Sequence, residues 1–574
     1  MAIKTRIEHK ENRSEKTIQN LVIIFGFAIF ILLVALIAFP SWTLIKTSFT
    51  ANKQLSLKIY SELLSQKSTF TVLLNSLFVS IIGSIGATVI GVLVAWLLAR
   101  TDVPFKRFWK MILIVPYLIP PFIGAIAWVY LLGPVGLLNK LWMAISGSLI
   151  PLFSIYGKWG IVFVMMIYSY PIAYMVNLGT LRQMNPSLEE AARISGASIG
   201  RTVRDIVLPL MLPSVGGSFL LIFMSMMANF GIPAVIGFPA RYYVMTTRIY
   251  TTILNYDNPN NLALSAGLSM ILVGIAILLM QAQRWIQKGK SHAIISGKSS
   301  QPQIISLGRW RTPAFIFLSL LVLVAVIGPL LAILITALTR VLGLPLDMDN
   351  LTFRNFAQVL FELPKARRAI LNSLGLAASS ATIIVFISLI ISYLLVRLKF
   401  KGGQILEGII LLPYAIPGTV VALALILSFL RPLPILNISI YNTIWILLVG
   451  YITRFLTFGV RSINAAFEQV HISLEEAARI SGANFVTAFK DIVIPLIKTN
   501  IFAGWFLAFI PSLTELTLSI LLFSVNNETL GTVVYGLHQE GKVMMTAALA
   551  FIVTIIVLGL NFITNRITNN QMGF

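Results

Sequence analysis

Residues 314–339 read A-F-I-F-L-S-L-L-V-L-V-A-V-I-G-P-L-L-A-I-L-I-T-A-L-T, without a single charge. As a helix, this run is long enough to cross a hydrocarbon core of roughly 30 Å. Similar runs lie near 21–45, 72–98, 110–132, 160–182, 209–230 and 262–282, then near 371–396, 405–430, 440–463, 498–523 and 544–563. The chain is 57% hydrophobic and 11% charged, whereas an average soluble domain has about 25% charged residues. It reads as an all-α polytopic membrane protein of about twelve transmembrane helices. A transmembrane β-barrel would show short alternating segments instead.

A net charge of +23 raises the question of nucleic acid. The Lys and Arg residues, however, cluster in short loops between spans, as the positive-inside bias requires, so no nucleic-acid partner is expected. Residues 1–20 are basic, and the apolar run behind them is too long for a signal-peptide core, which places the N-terminus in the cytoplasm. Arg100, Lys106, Arg107 and Lys110, then Arg397, Lys399 and Lys401, fall in loops on the same side. There is no cysteine, and the four histidines show no pair at ligand spacing, so no metal site is expected.

Two polar islands interrupt the apolar pattern. Residues 187–209 read S-L-E-E-A-A-R-I-S-G-A-S-I-G-R-T-V-R-D-I-V-L-P, and residues 473–495 read S-L-E-E-A-A-R-I-S-G-A-N-F-V-T-A-F-K-D-I-V-I-P. Ser187–Gly196 recurs unchanged as Ser473–Gly482, 286 positions on. Other pairs widen the repeat. Asn75-Ser76-Leu77 returns as Asn372-Ser373-Leu374, and the P-Y-x-I-P of 116–120 returns at 413–417, both 297 positions on. The Thr247–Tyr250 segment is echoed by Thr532–Tyr535. With six spans in each, the halves are parallel repeats related by an axis along the membrane normal. The expected division is a cytoplasmic segment 1–20, a first domain 21–282, a basic cytoplasmic linker 283–312 and a second domain 313–574.

Each island has the chemistry of a short helix, a bend and a second helix. Ser187 precedes Glu190, and Ser473 precedes Glu476, at capping-box spacing. Glu189, Glu190, Glu475 and Glu476 suit the positive end of a helix dipole. Ala191, Ala192, Ala477 and Ala478 favour helix with little bulk, leaving a face free for a partner's groove. Gly196 and Gly482 permit a sharp turn. An interfacial helix resting on lipid headgroups is the plainer reading, but leading acidic residues argue against it, and duplication favours a protein partner.

These residues carry a resemblance. Glu190-Ala191-Ala192, Gly196 and Ile206-Val207-Leu208-Pro209 resemble the coupling motif of ABC importer permeases. So do Glu476-Ala477-Ala478, Gly482 and Ile492-Val493-Ile494-Pro495, with Ile494 where that pattern has Leu. The resemblance covers nearly the whole chain and implies two fused permease domains of the type I importer fold in a bacterial cytoplasmic membrane. It also implies two separate ATP-binding subunits, which hold ATP and Mg, and an extracytoplasmic solute-binding protein. This chain itself is then not an enzyme and has no cofactor. Two Gly-Lys-Ser triplets, at 289–291 and 297–299, lack the phosphate-loop glycine, having Arg284 and His292 in its place.

Intramembrane polar residues are the candidates for the pathway, because they are costly in lipid. Asn229 and Glu515 occupy matching positions 286 apart, Glu515 in the eleventh span, and Arg454 in the tenth span is placed to pair with Glu515. Pathway lining and helix–helix hydrogen bonding are both open for Asn229 and Glu515. The segments 228–233 and 240–250 resemble the fused ferric-iron permeases. Thr514-Glu515-Leu516 resembles their K-E-L-P stretch, with Thr514 for Lys and Thr517 for Pro. Ferric iron is therefore the expected solute. Polyamine, phosphonate, sugar-phosphate and thiamine permeases share the architecture, and an ion-coupled secondary transporter is the alternative from another class.

Overall fold

The computed structural model describes residues 24–51, 54–288, 304–344, 347–398, 402–432, 437 and 439–567. The basic N-terminal segment, Lys399, Lys401 and both Gly-Lys-Ser triplets lie outside them. Among the described residues, 11 helices are long and apolar enough to cross a membrane, or 12 when one bent pair counts as a single span. The all-α polytopic expectation holds.

Prolines account for most departures from straight spans. The third span, expected as one helix over 110–132, is instead Lys106–Ile112, Val115–Leu118 and Pro121–Leu132. In the second half, Gly403–Pro413 and Gly418–Phe429 meet at 105°. Ile119 and Ile416, each just before a proline, are extended, because a proline ring disfavours helical backbone in the residue preceding it.

A second proline device recurs. Val34–Ala38, Val203–Val207, Leu323–Ile327 and Phe489–Val493 are single wide π turns. Each is followed by an X-Pro pair: Pro40, Pro209, Pro329 and Pro495. A proline ring normally collides with the carbonyl four residues back. Closing the turn on the carbonyl five back, as Leu208 N–H does on Val203 O and Ile494 N–H on Phe489 O, lets the helix run on. The fifth span is therefore continuous over Ile199–Met227 and the eleventh over Phe485–Leu513, rather than starting near 209 and 498. The π turns of the first and seventh spans also extend the repeat to its opening helices.

The chain divides into two compact units whose segments interleave. Among the described residues, one holds those of 24–48, 365–532 and 560–567, and the other those of 49–364 and 533–559. Within the first, the helix Phe39–Ser48 packs on Gly418–Phe429; within the second, Gly328–Leu338 packs on Pro121–Leu132. The opening helix of each sequence repeat thus lies in the unit built mainly from the other repeat.

Candidate functional site: two anchored surface helices

The islands fold as the helices Pro186–Ile194 and Ser473–Ile480. Neither starts with the expected capping box. Asn185 caps the first helix, its Oδ1 accepting the Ser187 N–H at 3.0 Å with Pro186 in the first turn. His471 stands at the matching place in the second, its Nδ1 3.3 Å from Ser473 N and 2.8 Å from Ser473 Oγ. A cap two residues upstream satisfies the first orphan donors, so the serines fall inside the helix and Glu190 and Glu476 stay exposed.

Both helices end alike. Ala197 N–H reaches Ala192 O and Gly196 N–H reaches Arg193 O; Ala483 and Gly482 repeat the pattern onto Ala478 and Arg479, all at 3.0 Å. This is a Schellman ending, which needs a left-handed residue. Gly196 has φ +86° and Gly482 φ +93°, with open space where a Cβ would be. These glycines are required by backbone conformation, not by crowding.

The four carboxylates divide into two kinds. Glu189 turns inward and meets Arg100, Oε1 to Nη2 at 2.9 Å, with side chains 5% and 1% exposed. Glu475 meets Arg397, Oε1 to Nε at 2.7 Å. Burial pushes the Glu189 carboxyl above its ordinary range, and Arg100 opposes that shift. Arg100 is therefore not a loop charge: it is fully buried. Glu189 and Glu475 are anchors whose partners close the second and eighth spans. Neither arginine stood out as a site residue in the sequence, although the pair keeps the 297-residue offset of Asn75 and Asn372.

With the anchors inward, the outer faces are apolar. Ile194 and Ile480 are each 88% exposed, Leu188 and Leu474 more than two-fifths, and Ala191 and Ala477 are exposed beside them. Each helix, held by a buried ion pair in the first case and a part-buried one in the second, thus carries an exposed apolar face of its own.

The expected pathway residues take a different position from the one read in the sequence. The fifth span ends at Met227 and the eleventh at Leu513, so Asn229 and Glu515 sit at breaks past the ends of their spans, not within them. There they do the same job: Asn229 Oδ1 accepts Ile232 N–H at 3.0 Å, and Glu515 Oε1 accepts Leu518 N–H at 2.8 Å. Each caps the turn into a short buried segment. Arg454 Nε lies 3.5 Å from Glu515 Oε2, while its Nη1 is buried without a hydrogen-bond partner. Gly418 packs so closely that a Cβ there would come within 2.7 Å of Nη1. The repeated Asn-Ser pairs hold the next helix. Ser76 Oγ accepts Met245 N–H and Ser373 Oγ accepts Leu530 N–H, at 2.7 and 2.8 Å. Asn75 and Asn372 donate to the backbone carbonyls of Tyr243 and Glu528. Among the described residues, no three His, Cys, Asp or Glu converge as metal ligands.

The model of the binding-protein-dependent transport system inner membrane component matches residues 87–292 and again 384–571. The chain belongs to that family. It is an ABC importer permease with two fused permease domains. The ferric transport system permease protein FbpB of Actinobacillus pleuropneumoniae is 26% identical over 93% of this chain and 76% of its own. The Fe(3+)-transport system permease protein FbpB 2 of Haemophilus influenzae is 24% identical over 83% of this permease and 85% of its own length. The spermidine/putrescine transport system permease protein PotC of Escherichia coli is 28% identical, over 33% of this permease and 69% of its own.

Proposed function

We propose that this permease imports ferric iron, handed over by an extracytoplasmic binding protein and driven by two separate ATP-binding subunits. One subunit docks on Pro186–Ile194 and the other on Ser473–Ile480, both in the cytoplasm, with the N-terminus on that side. The observation that carries the docking reading is the pair of outward apolar faces on ion-paired helices. A lone surface isoleucine needs no explanation. The same isoleucine 88% exposed twice, at the same step of two identical helices, calls for a partner at each.

The coupling roles divide within each helix. Ile194 and Ile480, with Leu188, Leu474 and the alanines, enter the groove. Glu190 and Glu476 face the rim. Glu189 and Glu475 transmit movement into the spans through Arg100 and Arg397, and Gly196 and Gly482 set the turn toward the next span. When ATP draws the two ATPase subunits together, the helices follow and access alternates between the two sides of the membrane. Asn229, Arg454 and Glu515 line the route.

Iron rests on the fused ferric permeases, which align over most of the chain. A polyamine is the second reading, favoured by the likeness to PotC over a third of the chain. The test is to reconstitute the permease with its ATPase and binding protein in proteoliposomes and offer ferric iron, spermidine and putrescine separately. The account expects ATP-dependent uptake of iron. Uptake of a polyamine alone would replace iron with the second reading. Uptake driven by a proton or sodium gradient without an ATPase would overturn the importer mechanism.

A further inference from the structure

Arg100 is tethered at both its ends. Its side chain holds Glu189 of the first docking helix. Its backbone carbonyl accepts the N–H of Ile305 at 2.7 Å. Ile305 lies toward the far end of the linker between the halves. Its carbonyl accepts Asp102 N–H at 3.2 Å, which completes a parallel bridge with Thr101. Asp102 Oδ1 then accepts Leu307 N–H at 2.8 Å. That hydrogen bond is the largest of the effects that hold the Asp102 carboxyl below its ordinary range. The residue after Leu307, Gly308, opens the seventh span, whose Phe315 packs on the rings of Phe105 and Trp109, at 6.4 and 5.6 Å between centroids.

The two docking helices differ here. Arg397 spends its second donor group on its own half, Nη2 to Val470 O at 2.7 Å. Arg100 Nε, Nη1 and Nη2 are all buried without a hydrogen-bond partner, so Arg100 meets Glu189 as a close ion pair alone, 2.9 Å apart. A buried guanidinium with unmade hydrogen bonds is costly, so its place against Glu189 depends on how firmly the backbone that carries it is fixed. Around Arg100 the surroundings that fix the backbone include the linker.

We propose that residues 304–307 form a strap that positions the first docking helix through Arg100. The strap makes the Arg100–Glu189 joint, the loop after the second span and the start of the seventh span one body. When the first helix moves, the seventh span is drawn with it. Arg100 is a positioning residue here: its carbonyl takes the strap and its guanidinium takes the helix. The consequence for coupling rests on the docking reading, but the strap itself is tested on the permease alone.

The test is hydrogen–deuterium exchange of the purified permease. Ile305→Pro removes the N–H that Arg100 accepts. Asp102→Ala removes the acceptor for Leu307. Each should speed exchange of amides 188–195 by about tenfold, the factor expected when stabilisation worth one buried hydrogen bond is lost, and leave 474–481 at the wild-type rate. The second helix is thus an internal standard within the same molecule, and its unchanged rate shows that the variant is folded. Unchanged exchange at 188–195, or equal acceleration of both helices, overturns the strap. The chain has no cysteine, so Thr101→Cys with Ile305→Cys gives a clean second arm. Neighbouring strands lie about 4.8 Å apart, within reach of a disulfide. Oxidised permease should keep its transport rate, because the strap stays shut as the body moves. Transport lost on oxidation and restored by a reductant would contradict it. If the exchange result holds but no ATPase binds, the docking reading fails and the strap stands.

Discussion

Arg397 and Glu475 meet at 2.7 Å, and Arg100 and Glu189 repeat the meeting at 2.9 Å with almost no exposure to water. Each pair joins the end of a long span to a surface helix. Removing one partner of a buried pair strands a charge and costs about 3–5 kcal/mol. Arg397→Ala should therefore lower thermal stability and abolish ATPase binding at the second helix. Arg397→Leu with Glu475→Leu should recover much of the stability, because no charge is left unpaired. Thermal unfolding of the two variants checks this, with equal destabilisation counting against the anchor.

Glu189 gives a pH test. Its carboxyl is held above its ordinary value mainly by burial, so the folded state binds a proton more tightly than the unfolded one. That preference stabilises the fold below the ordinary carboxylate range and fades as pH rises through the folded value. Arg100→Ala removes the opposing charge, raises the folded value further and widens the window of pH-dependent loss. Amide exchange of the first helix, followed from acid to neutral pH, should show the variant loosening with rising pH and the wild type loosening less.

Gly196 and Gly482 have room for a side chain but not the backbone conformation for most residues. Alanine at either should cost about 1–2 kcal/mol for adopting the left-handed conformation, and asparagine less, since it tolerates that region. A bulky residue such as Gly482→Val should abolish transport and ATPase coupling while the permease remains inserted. Transport at the wild-type rate in Gly196→Val and Gly482→Val would remove the turn from the mechanism.

Asn229→Ala removes a cap and should cost about 1 kcal/mol. Glu515→Gln keeps an oxygen for Leu518 N–H but loses the charge opposite Arg454. If these residues line the route, Glu515→Gln should reduce the uptake rate while ATPase binding stays at the wild-type level. Paired uptake and co-purification measurements separate the two effects.

The apolar runs and the doubled islands made the membrane class, the repeat and the paired surface helices legible, because length and duplication survive in one dimension. Proline acts locally, on its own turn and the residue before it, and a hydropathy pattern does not carry that. Pro116, Pro120 and Pro121 broke a span that hydropathy showed as continuous, and the π turns before Pro209 and Pro495 carried helices through prolines that looked like starts. The capping serines were displaced by Asn185 and His471, two residues upstream. Glu189 and Glu475 read as dipole partners, and only the fold brought Arg100 and Arg397 to them. The signal was there in the shared 297-residue offset, but an arginine at a span's end looks the same whether it faces water or a carboxylate.

The docking claim is tested most directly by counting ATPase subunits on the purified permease after Ile194→Glu and Ile480→Glu. Both side chains are largely exposed, so neither change should lower thermal stability. The account predicts two subunits on the wild type, weakened binding in either single variant, and none in the double variant. A double variant that is folded and still holds both subunits would contradict it.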